Sequence, residues 1–264
     1  MNSPILSIEN LKVRLNSREI ISDFSLSIER GKIHSIIGPN GSGKTTLLRA
    51  ISRNIRPTHG IVYLNGTSLK KMKAKTIACQ MAVLSQVHNG MSDVSVRELV
   101  AYGRFSHREW WRSNNTDDNE IVDWALERTN ITAFENQKIN TLSGGERQRA
   151  WIAMAIAQKP EILLLDEPTT FLDISHQIEV LELIAGLNRE ENITILMVLH
   201  DINHAAQYSD EIIVMKEGAL HSRGKPEEIL EASVLRDVFN IEASIYQDEE
   251  TGKPMFLARK VVRC

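Results

Sequence analysis

The segment GPNGSGKTT, residues 38–46, joins an apolar-rich run at 32–37 to a helix-like run at 45–52. Glycines at positions 38, 41 and 43 allow the backbone to turn tightly with its N–H groups pointing inward. Such a turn at the start of a helix forms a concave anion site, and the spacing matches the phosphate-binding pattern G-x-x-x-x-G-K-S/T. The sequence therefore predicts a strand, a phosphate-binding loop and a helix, in that order.

The side chains of this loop predict a nucleoside triphosphate held with a divalent cation. Lys44 can reach the β- and γ-phosphates, and the Thr45 hydroxyl can ligate Mg²⁺. The loop residues expected to bind ATP are Gly38, Pro39, Asn40, Gly41, Ser42, Gly43, Lys44, Thr45 and Thr46.

A second aliphatic run, ILLLDEP at residues 162–168, ends in two acidic residues. Open α/β sheets bind ligands at the carboxyl ends of their strands, so both carboxylates are expected near the phosphates. Asp166 suits the coordination shell of Mg²⁺, and Glu167 can polarise the water that attacks the γ-phosphate. The two motifs together predict ATP hydrolysis.

Two other polar residues follow predicted strands at the same edge. His200 comes after the run at 194–199, which would bring its imidazole near the phosphates. Gln86 comes after the run at 81–84, which would bring its amide near the metal and the attacking water. The expected catalytic residues are Glu167, His200 and Gln86, and the expected metal ligands are Thr45, Gln86 and Asp166.

Composition and charge argue against several other classes of protein. Lys and Arg total 31 against 34 Asp and Glu, and the resulting charge of -3 offers no general attraction to nucleic acid. The longest apolar run, at residues 150–157, is far shorter than the roughly 20 residues of a membrane span. The opening residues do not resemble a secretion signal, and Cys79 and Cys264 form no disulfide framework. We therefore expect a cytoplasmic protein that binds no nucleic acid.

Hydrophobic patterning divides the chain into three regions. Short β-compatible runs at 5–8, 12–15 and 25–28 predict an N-terminal antiparallel portion. Residues 87–159 contain helical patterns only, which indicates a helical insertion. The runs at 162–165 and 193–199, with a helix between them, predict a parallel sheet. The expected fold class is α/β, a P-loop NTPase with a mostly parallel sheet core, an antiparallel β subdomain and a helical subdomain.

The string LSGGERQR at residues 142–149 carries a resemblance to a known family. Two adjacent glycines at a helix start can form a second anion site, which makes sense if it completes the ATP site of a neighbouring copy. With GPNGSGKTT before it and ILLLDEP after it, the string resembles the signature of ATP-binding cassette (ABC) proteins. The resemblance covers essentially the whole chain.

This resemblance implies a head-to-tail dimer that sandwiches two ATP molecules. Ser143, Gly144 and Gly145 would contact the γ-phosphate held by the partner. Gln86 would be the Q-loop glutamine, His200 the switch histidine and Glu167 the catalytic base. Leu172 and Asp173 resemble the D-loop, so that Asp173 joins the expected ATP-site residues. The family commonly stacks adenine on an aromatic residue, and alignment places Leu15 there.

The resemblance also implies one ABC ATPase domain over residues 1–264. Residues 1–86 would hold the antiparallel strands and the first half of a RecA-like core. Residues 87–159 would form the helical subdomain with the signature, and residues 160–264 would form the second half of the core and the C-terminal segment.

Within the family, the chain is most similar to ATPases of importers for iron chelates, relatives of the vitamin B12 importer. The stretches that carry this similarity include VRELVAYGRFSH at 96–107 and PTTFLDISHQIEVLELI at 168–184. The implied partners are a second copy of the chain, two membrane permease subunits and, indirectly, an extracytoplasmic substrate-binding protein. The implied location is the cytoplasmic face of the membrane, with permease contact at residues 91–104. A vitamin B12 or haem importer and an exporter remain alternatives, because every ABC ATPase shares the same active site.

Overall fold

The computed structural model describes residues 3–85, 93–107 and 116–262. Strands dominate the first part of the chain and helices the middle. The elements up to residue 128 are β1 (Leu6–Leu15), β2 (Arg18–Ile28), β3 (Ile33–Ile37), α1 (Lys44–Ile51), β4 (His59–Leu64), β5 (Thr67–Ser68), α2 (Ala74–Gln80), β6 (Met81–Leu84), α3 (Val96–Tyr102) and α4 (Thr116–Arg128).

Helices and strands then alternate, and the described chain ends in a pair of strands. These elements are α5 (Gly144–Ala157), β7 (Ile162–Asp166), α6 (Ile174–Glu191), β8 (Thr194–Val198), α7 (Ile202–Tyr208), β9 (Glu211–Lys216), β10 (Ala219–Gly224), α8 (Pro226–Ile229), α9 (Ala232–Phe239), β11 (Ile241–Gln247) and β12 (Pro254–Val261). The elements group into two compact units, Met1–Lys71 with Leu196–Cys264, and Met72–Ile195.

The first unit contains an antiparallel sheet with the strand order β2-β1-β4-β5. Strands β1 and β2 are joined by Asn16 and Ser17, both with positive φ, as in the tight hairpin turns that match strand twist. In the same unit, β9 pairs in parallel with β3 and antiparallel with β10. Every residue of β3 is buried, and this strand leads directly into the loop at 38–46.

The C-terminal strands of the first unit form a separate hairpin, in which β11 pairs antiparallel with β12. This hairpin packs against α7 through the side chain of Asn203. The amide donates to the carbonyl oxygen of Phe256 at 3.2 Å and accepts from the Phe256 N–H at 2.9 Å.

The second unit combines a parallel pair of strands with a helical cluster. Strands β6 and β7 pair in parallel, and all five residues of β7 are buried. Helices α3, α4 and α5 pack on one another around buried residues such as Leu99, Leu126 and Ile152. Helix α6 packs against α5, and this contact positions the residues discussed below.

The predicted fold class is confirmed: a parallel sheet core, an antiparallel β portion and a helical portion are all present. Three local predictions were incomplete. The runs at 5–8 and 12–15 belong to one strand, β1, because a bulge at Asn10 carries the strand past its polar residues. Residues 226–239, whose sequence pattern predicts helix, form the two helices α8 and α9, because the extended backbone of Glu231 separates them. The strands β11 and β12 were missed.

Across the described ranges, no helix is both long enough and apolar enough to cross a lipid bilayer.

Candidate active site

The loop at 38–46 has the backbone shape that its glycines predict. Gly38, Gly41 and Gly43 all have positive φ, and Gly43 is the N-cap of α1 in the left-handed conformation. A β-carbon on Gly38 would lie 2.2 Å from the Met215 carbonyl oxygen, so no side chain fits there. A β-carbon on Gly43 would lie 2.8 Å from Cδ1 of Ile21. The loop is therefore packed directly on β9 and β2.

The lysine of the loop is buried and is turned back onto its own segment. Lys44 Nζ donates to the carbonyl oxygens of Gly38 at 2.8 Å and Pro39 at 3.0 Å. This geometry holds the ammonium group over the concave side of the loop, where a phosphate would bind. The buried Ser42 hydroxyl has no hydrogen-bond partner among the residues that the structure describes.

His200 follows β8 beside the strand that enters the loop. The Leu199 N–H donates to the Ile36 carbonyl oxygen at 3.1 Å, so the residues just before His200 and just before Gly38 are neighbours. Asp201 then caps α7 by accepting from the His204 N–H at 3.0 Å. The exposed imidazole of His200 thus lies at the carboxyl end of its strand, at the same sheet edge as the loop.

The acidic pair of the second unit occupies the end of β7. Asp166 is buried as the last residue of the strand, and Glu167 follows in the left-handed conformation with φ 55°. The Thr170 hydroxyl donates to Glu167 Oε2 at 3.0 Å. This bond fixes the direction of the carboxylate that was predicted to polarise water.

The signature segment, residues 142–149, begins α5 with a reciprocal cap. The Ser143 hydroxyl accepts from the Glu146 N–H at 3.3 Å, and Glu146 Oε2 accepts from the Ser143 N–H at 2.8 Å. These hydrogen bonds to Ser143 hold the pKa of Glu146 below its ordinary value. The cap leaves Ser143 and Gly144 exposed at the helix N-terminus, which is where an anion would bind.

The D-loop residues Leu172 and Asp173 lead into α6. Asp173 caps this helix by accepting from the His176 N–H at 3.0 Å, and the Gln177 side-chain amide donates to the Leu172 carbonyl oxygen at 2.9 Å. Next to them, Phe171 is 92% exposed and Ile174 is 75% exposed. An exposed apolar pair of this size is typical of a protein interface.

The structure therefore groups the predicted residues by unit. The loop and His200 lie at one strand edge of the first unit. Asp166, Glu167, the signature and the D-loop lie in the second unit. Gln86 falls outside the described residues. Leu15 ends β1 beside the hairpin turn and is 38% exposed.

Each unit supplies one oxygen donor of the type that the predicted cation prefers. The Thr45 hydroxyl lies in the first turn of α1, and the Asp166 carboxylate ends β7. Both are hard oxygen ligands of the kind that Mg²⁺ prefers, and Mg²⁺ usually takes its remaining ligands from water and substrate phosphates. Within the described ranges, no three His, Cys, Asp or Glu side chains gather into a self-sufficient metal site.

Two side chains that position the predicted site residues were not predicted from the sequence. Thr170 donates a hydrogen bond to Glu167, and the imidazole of His176 lies against Gly145 of the signature. Both lie within PTTFLDISHQIEVLELI at 168–184, but the similarity of that stretch to importers of iron chelates assigns no role to either residue.

Comparison with known proteins identifies the class. The ABC transporter family model matches residues 21–170, more than half of the chain. The chain belongs to this family, and it is an ATPase of the ATP-binding cassette type.

Curated relatives match over nearly the whole length. The chain is 46% identical to the iron(3+)-hydroxamate import ATP-binding protein FhuC of Bacillus subtilis, covering 100% of this chain and 97% of the relative. It is also 46% identical to the petrobactin import ATP-binding protein FpuC of Bacillus anthracis, covering 97% and 94%.

Solved structures agree with the assignment. A metal-chelate type ABC transporter in an inward-facing conformation matches with a TM-score of 0.84 and 25% identity, covering 98% of both chains. The dimeric ABC transporter cassette MJ0796 matches with a TM-score of 0.73 and 29% identity, covering 83% of this chain and 98% of that one.

Proposed function

We propose that this chain is the energy-coupling ATPase of an ABC importer that takes up ferric siderophores or related iron chelates. The observation that carries the proposal is full-length similarity to two ATP-binding proteins named for hydroxamate and petrobactin import. The nucleotide motifs alone cannot select a substrate, because all ABC ATPases share them. We further propose that residues 1–264 form a single ABC ATPase domain, with the three regions set out above.

In the proposed reaction, the loop and Lys44 bind the phosphates of ATP. Mg²⁺ bound by Thr45, Asp166 and Gln86 would neutralise charge on the β- and γ-phosphates. Glu167, oriented by Thr170, accepts a proton from the attacking water, and His200 donates a hydrogen bond toward the γ-phosphate. These roles follow from residue type, since an ionised carboxylate can only accept a hydrogen bond or a proton, whereas an imidazole N–H can donate a hydrogen bond.

The active unit is proposed to be a homodimer, with Ser143, Gly144 and Gly145 binding the γ-phosphate held by the partner copy. The exposed cap of α5 supports this, because its N-terminus offers backbone donors to an anion from outside. The apolar pair Phe171 and Ile174 supports it as well, since a partner would remove both from water. The dimeric state of the similar cassette MJ0796 is consistent with this assembly.

A second surface suits the membrane permeases. Tyr102 is 49% exposed at the end of α3, and Phe105 is 77% exposed in the turn that follows. Between them, the buried Arg104 donates from Nη1 to the Ala157 carbonyl oxygen at 2.7 Å and from Nε to Asp118 Oδ1 at 2.8 Å. This anchor fixes the turn on α5 and presents both aromatic rings outward. We propose that they receive a short helix from each permease at the cytoplasmic face of the membrane.

The proposal is tested by purifying the chain with its membrane partners and reconstituting the complex in vesicles with an extracytoplasmic binding protein. ATP-dependent uptake of a radiolabelled ferric hydroxamate is expected. Uptake of cobalamin or haem instead would refute the substrate class, and outward transport would favour an exporter. If no membrane protein copurifies, the proposed role in transport is wrong.

Two variants separate hydrolysis from coupling in this assay. Lys44→Ala should abolish uptake together with ATPase activity. Phe105→Ser should reduce uptake at least fivefold while the isolated subunit keeps its ATPase activity, because Phe105 makes no contribution to the nucleotide motifs. Normal uptake by Phe105→Ser would exclude this surface as the permease contact.

A further inference from the structure

The imidazole of His176 fills the space above a signature glycine. A β-carbon on Gly145 would lie 2.2 Å from His176 Cδ2, 2.8 Å from Cγ and 3.1 Å from Nε2. Real β-carbons do not approach ring atoms so closely, so Gly145 and His176 must fit together as a pair. Gly145 is buried while its neighbour Gly144 is exposed, which is consistent with the ring covering only the second glycine.

The same imidazole is bonded to the D-loop. His176 Nδ1 lies 2.7 Å from Asp173 Oδ1, the oxygen that also accepts from the His176 N–H. The Ser175 hydroxyl donates to that oxygen at 3.0 Å. These bonds, led by the one from the His176 backbone, hold the pKa of Asp173 below its ordinary value. The carboxylate is thus ionised and tied to the ring at neutral pH.

Two further contacts join the signature helix α5 to the D-loop helix α6. A β-carbon on Gly144 would lie 3.2 Å from Leu172 Cδ2, so the first signature glycine also rests on the D-loop. One turn along, Arg149 Nη1 donates to Glu179 Oε2 at 2.7 Å. His176 therefore lies between the N-termini of the two helices, and its side chain contacts both the signature and the D-loop.

We propose that His176 is a positioning residue that holds the signature glycines in register with the D-loop, so that the signature meets the γ-phosphate of the partner copy correctly. The inference rests on the proposed ATP-sandwich dimer. Donors that bind a phosphate in the transition state lose much of their effect when displaced by about 1 Å. Without the imidazole, the first turn of α5 loses its support at Gly145 and the D-loop loses a bond to Asp173.

The first test measures binding of two nucleotides in the His176→Ala variant. ADP affinity should change less than twofold, because ADP lacks the γ-phosphate and contacts only the loop of its own chain. In the Glu167→Gln background with saturating ATP, the dimer fraction measured by light scattering should fall at least fivefold. His221→Ala, which alters an exposed histidine on β10, is the matched control and should leave both values unchanged. If His176→Ala fails to fold, His176→Phe keeps a ring above Gly145 and removes only the bond to Asp173; it should still lower the dimer fraction, by less than His176→Ala, while ADP affinity changes less than twofold.

The outcomes distinguish the two proposals. If Glu167→Gln alone does not dimerise with ATP, the proposed sandwich is wrong and the positioning role falls with it. If Glu167→Gln dimerises normally and the added His176→Ala change leaves the dimer fraction intact, only the role of His176 is wrong. Equal losses of ADP affinity and dimerisation would indicate general damage to the fold and would also overturn it.

A second test examines the pairing of Gly145 with His176 without using nucleotide. Gly145→Ala should lower the Tm in the wild-type background because its new methyl group meets the imidazole. In the His176→Ala background, the same change should lower the Tm by less than half as much. Additive Tm losses would show that the two residues are not coupled, which would overturn the inference.

Discussion

The Thr170 hydroxyl donates a hydrogen bond of 3.0 Å to Glu167 Oε2, immediately beyond the buried strand β7. Glu167 stands in the left-handed conformation with φ 55°, an uncommon state for a glutamate. The threonine thus fixes one carboxylate oxygen while the turn directs the group away from the strand. A general base must lie within hydrogen-bond reach of the proton that it removes, so a fixed carboxylate orientation suits this role.

Glu167→Gln is expected to retain ATP binding, lose hydrolysis and trap an ATP-bound dimer. The amide cannot accept the proton from water, so kcat should fall by about 10²-fold or more. Steady-state phosphate release and light scattering measure the two effects. Thr170→Val keeps the carboxylate and loses only its hydroxyl partner, and should therefore reduce kcat less. Near-normal turnover by Glu167→Gln would reject this residue as the base.

Gly38→Ala should destabilise the fold far more than Gly41→Ala. A β-carbon on Gly38 would lie 2.2 Å from a backbone oxygen of Met215, whereas one on Gly41 would meet nothing within 4 Å. We expect a loss of about 3 kcal/mol at Gly38 and about 1 kcal/mol at Gly41, the latter for the left-handed backbone alone. Chemical denaturation measures both, and equal losses would contradict the packing of the loop on β9.

Leu15→Tyr should lower the KM for ATP. Leu15 ends β1 at the tip of the β1–β2 hairpin and is 38% exposed, so a larger ring can be accommodated. An aromatic ring can stack on adenine, which an aliphatic side chain does only weakly. KM values for ATP and GTP are compared in both proteins. If neither value changes, Leu15 does not occupy the adenine-stacking position.

Acid sensitivity is expected to depend on Glu211. His34 Nδ1 lies 3.0 Å from Glu211 Oε2, and this contact, followed by the charge of Arg223, holds the pKa of Glu211 below its ordinary value of 4.5. A lowered carboxyl pKa in the folded state stabilises the protein above pH 4.5, and this stabilisation is lost as pH falls through the lowered value. Glu211→Gln should therefore cost about 1.5 kcal/mol at neutral pH.

The pH profile supplies the check on this assignment. The difference in unfolding free energy between wild type and Glu211→Gln should shrink as pH is lowered from neutral to below 4.5. Glu249→Gln, at the exposed turn between β11 and β12, should follow the wild-type curve throughout. A difference that stays constant with pH would assign the effect to packing instead.

Local patterns predicted the elements that hold the nucleotide motifs. The expected run at 81–84 is β6 itself, and the expected helix at 45–52 differs from α1 by one residue at each end. Such elements are readable because their buried residues and their glycines lie next to one another in the chain. The β11–β12 hairpin was not predicted, because each strand finds its pairing partner only across the turn between them, which no local pattern specifies.

Sequence alone was sufficient to predict the phosphate-binding loop, the acids that end β7 and the signature, because the chemistry of each is confined to a few consecutive residues. The contacts that hold those groups in place come from residues outside each motif's defining letters, and they are visible only in the folded chain. Gly145 is required where it is because the ring of His176 lies above it, and Glu167 is oriented because Thr170 turns back to it. The spacing of a motif shows which chemical groups the site contains, whereas packing and hydrogen bonds determine the positions of those groups.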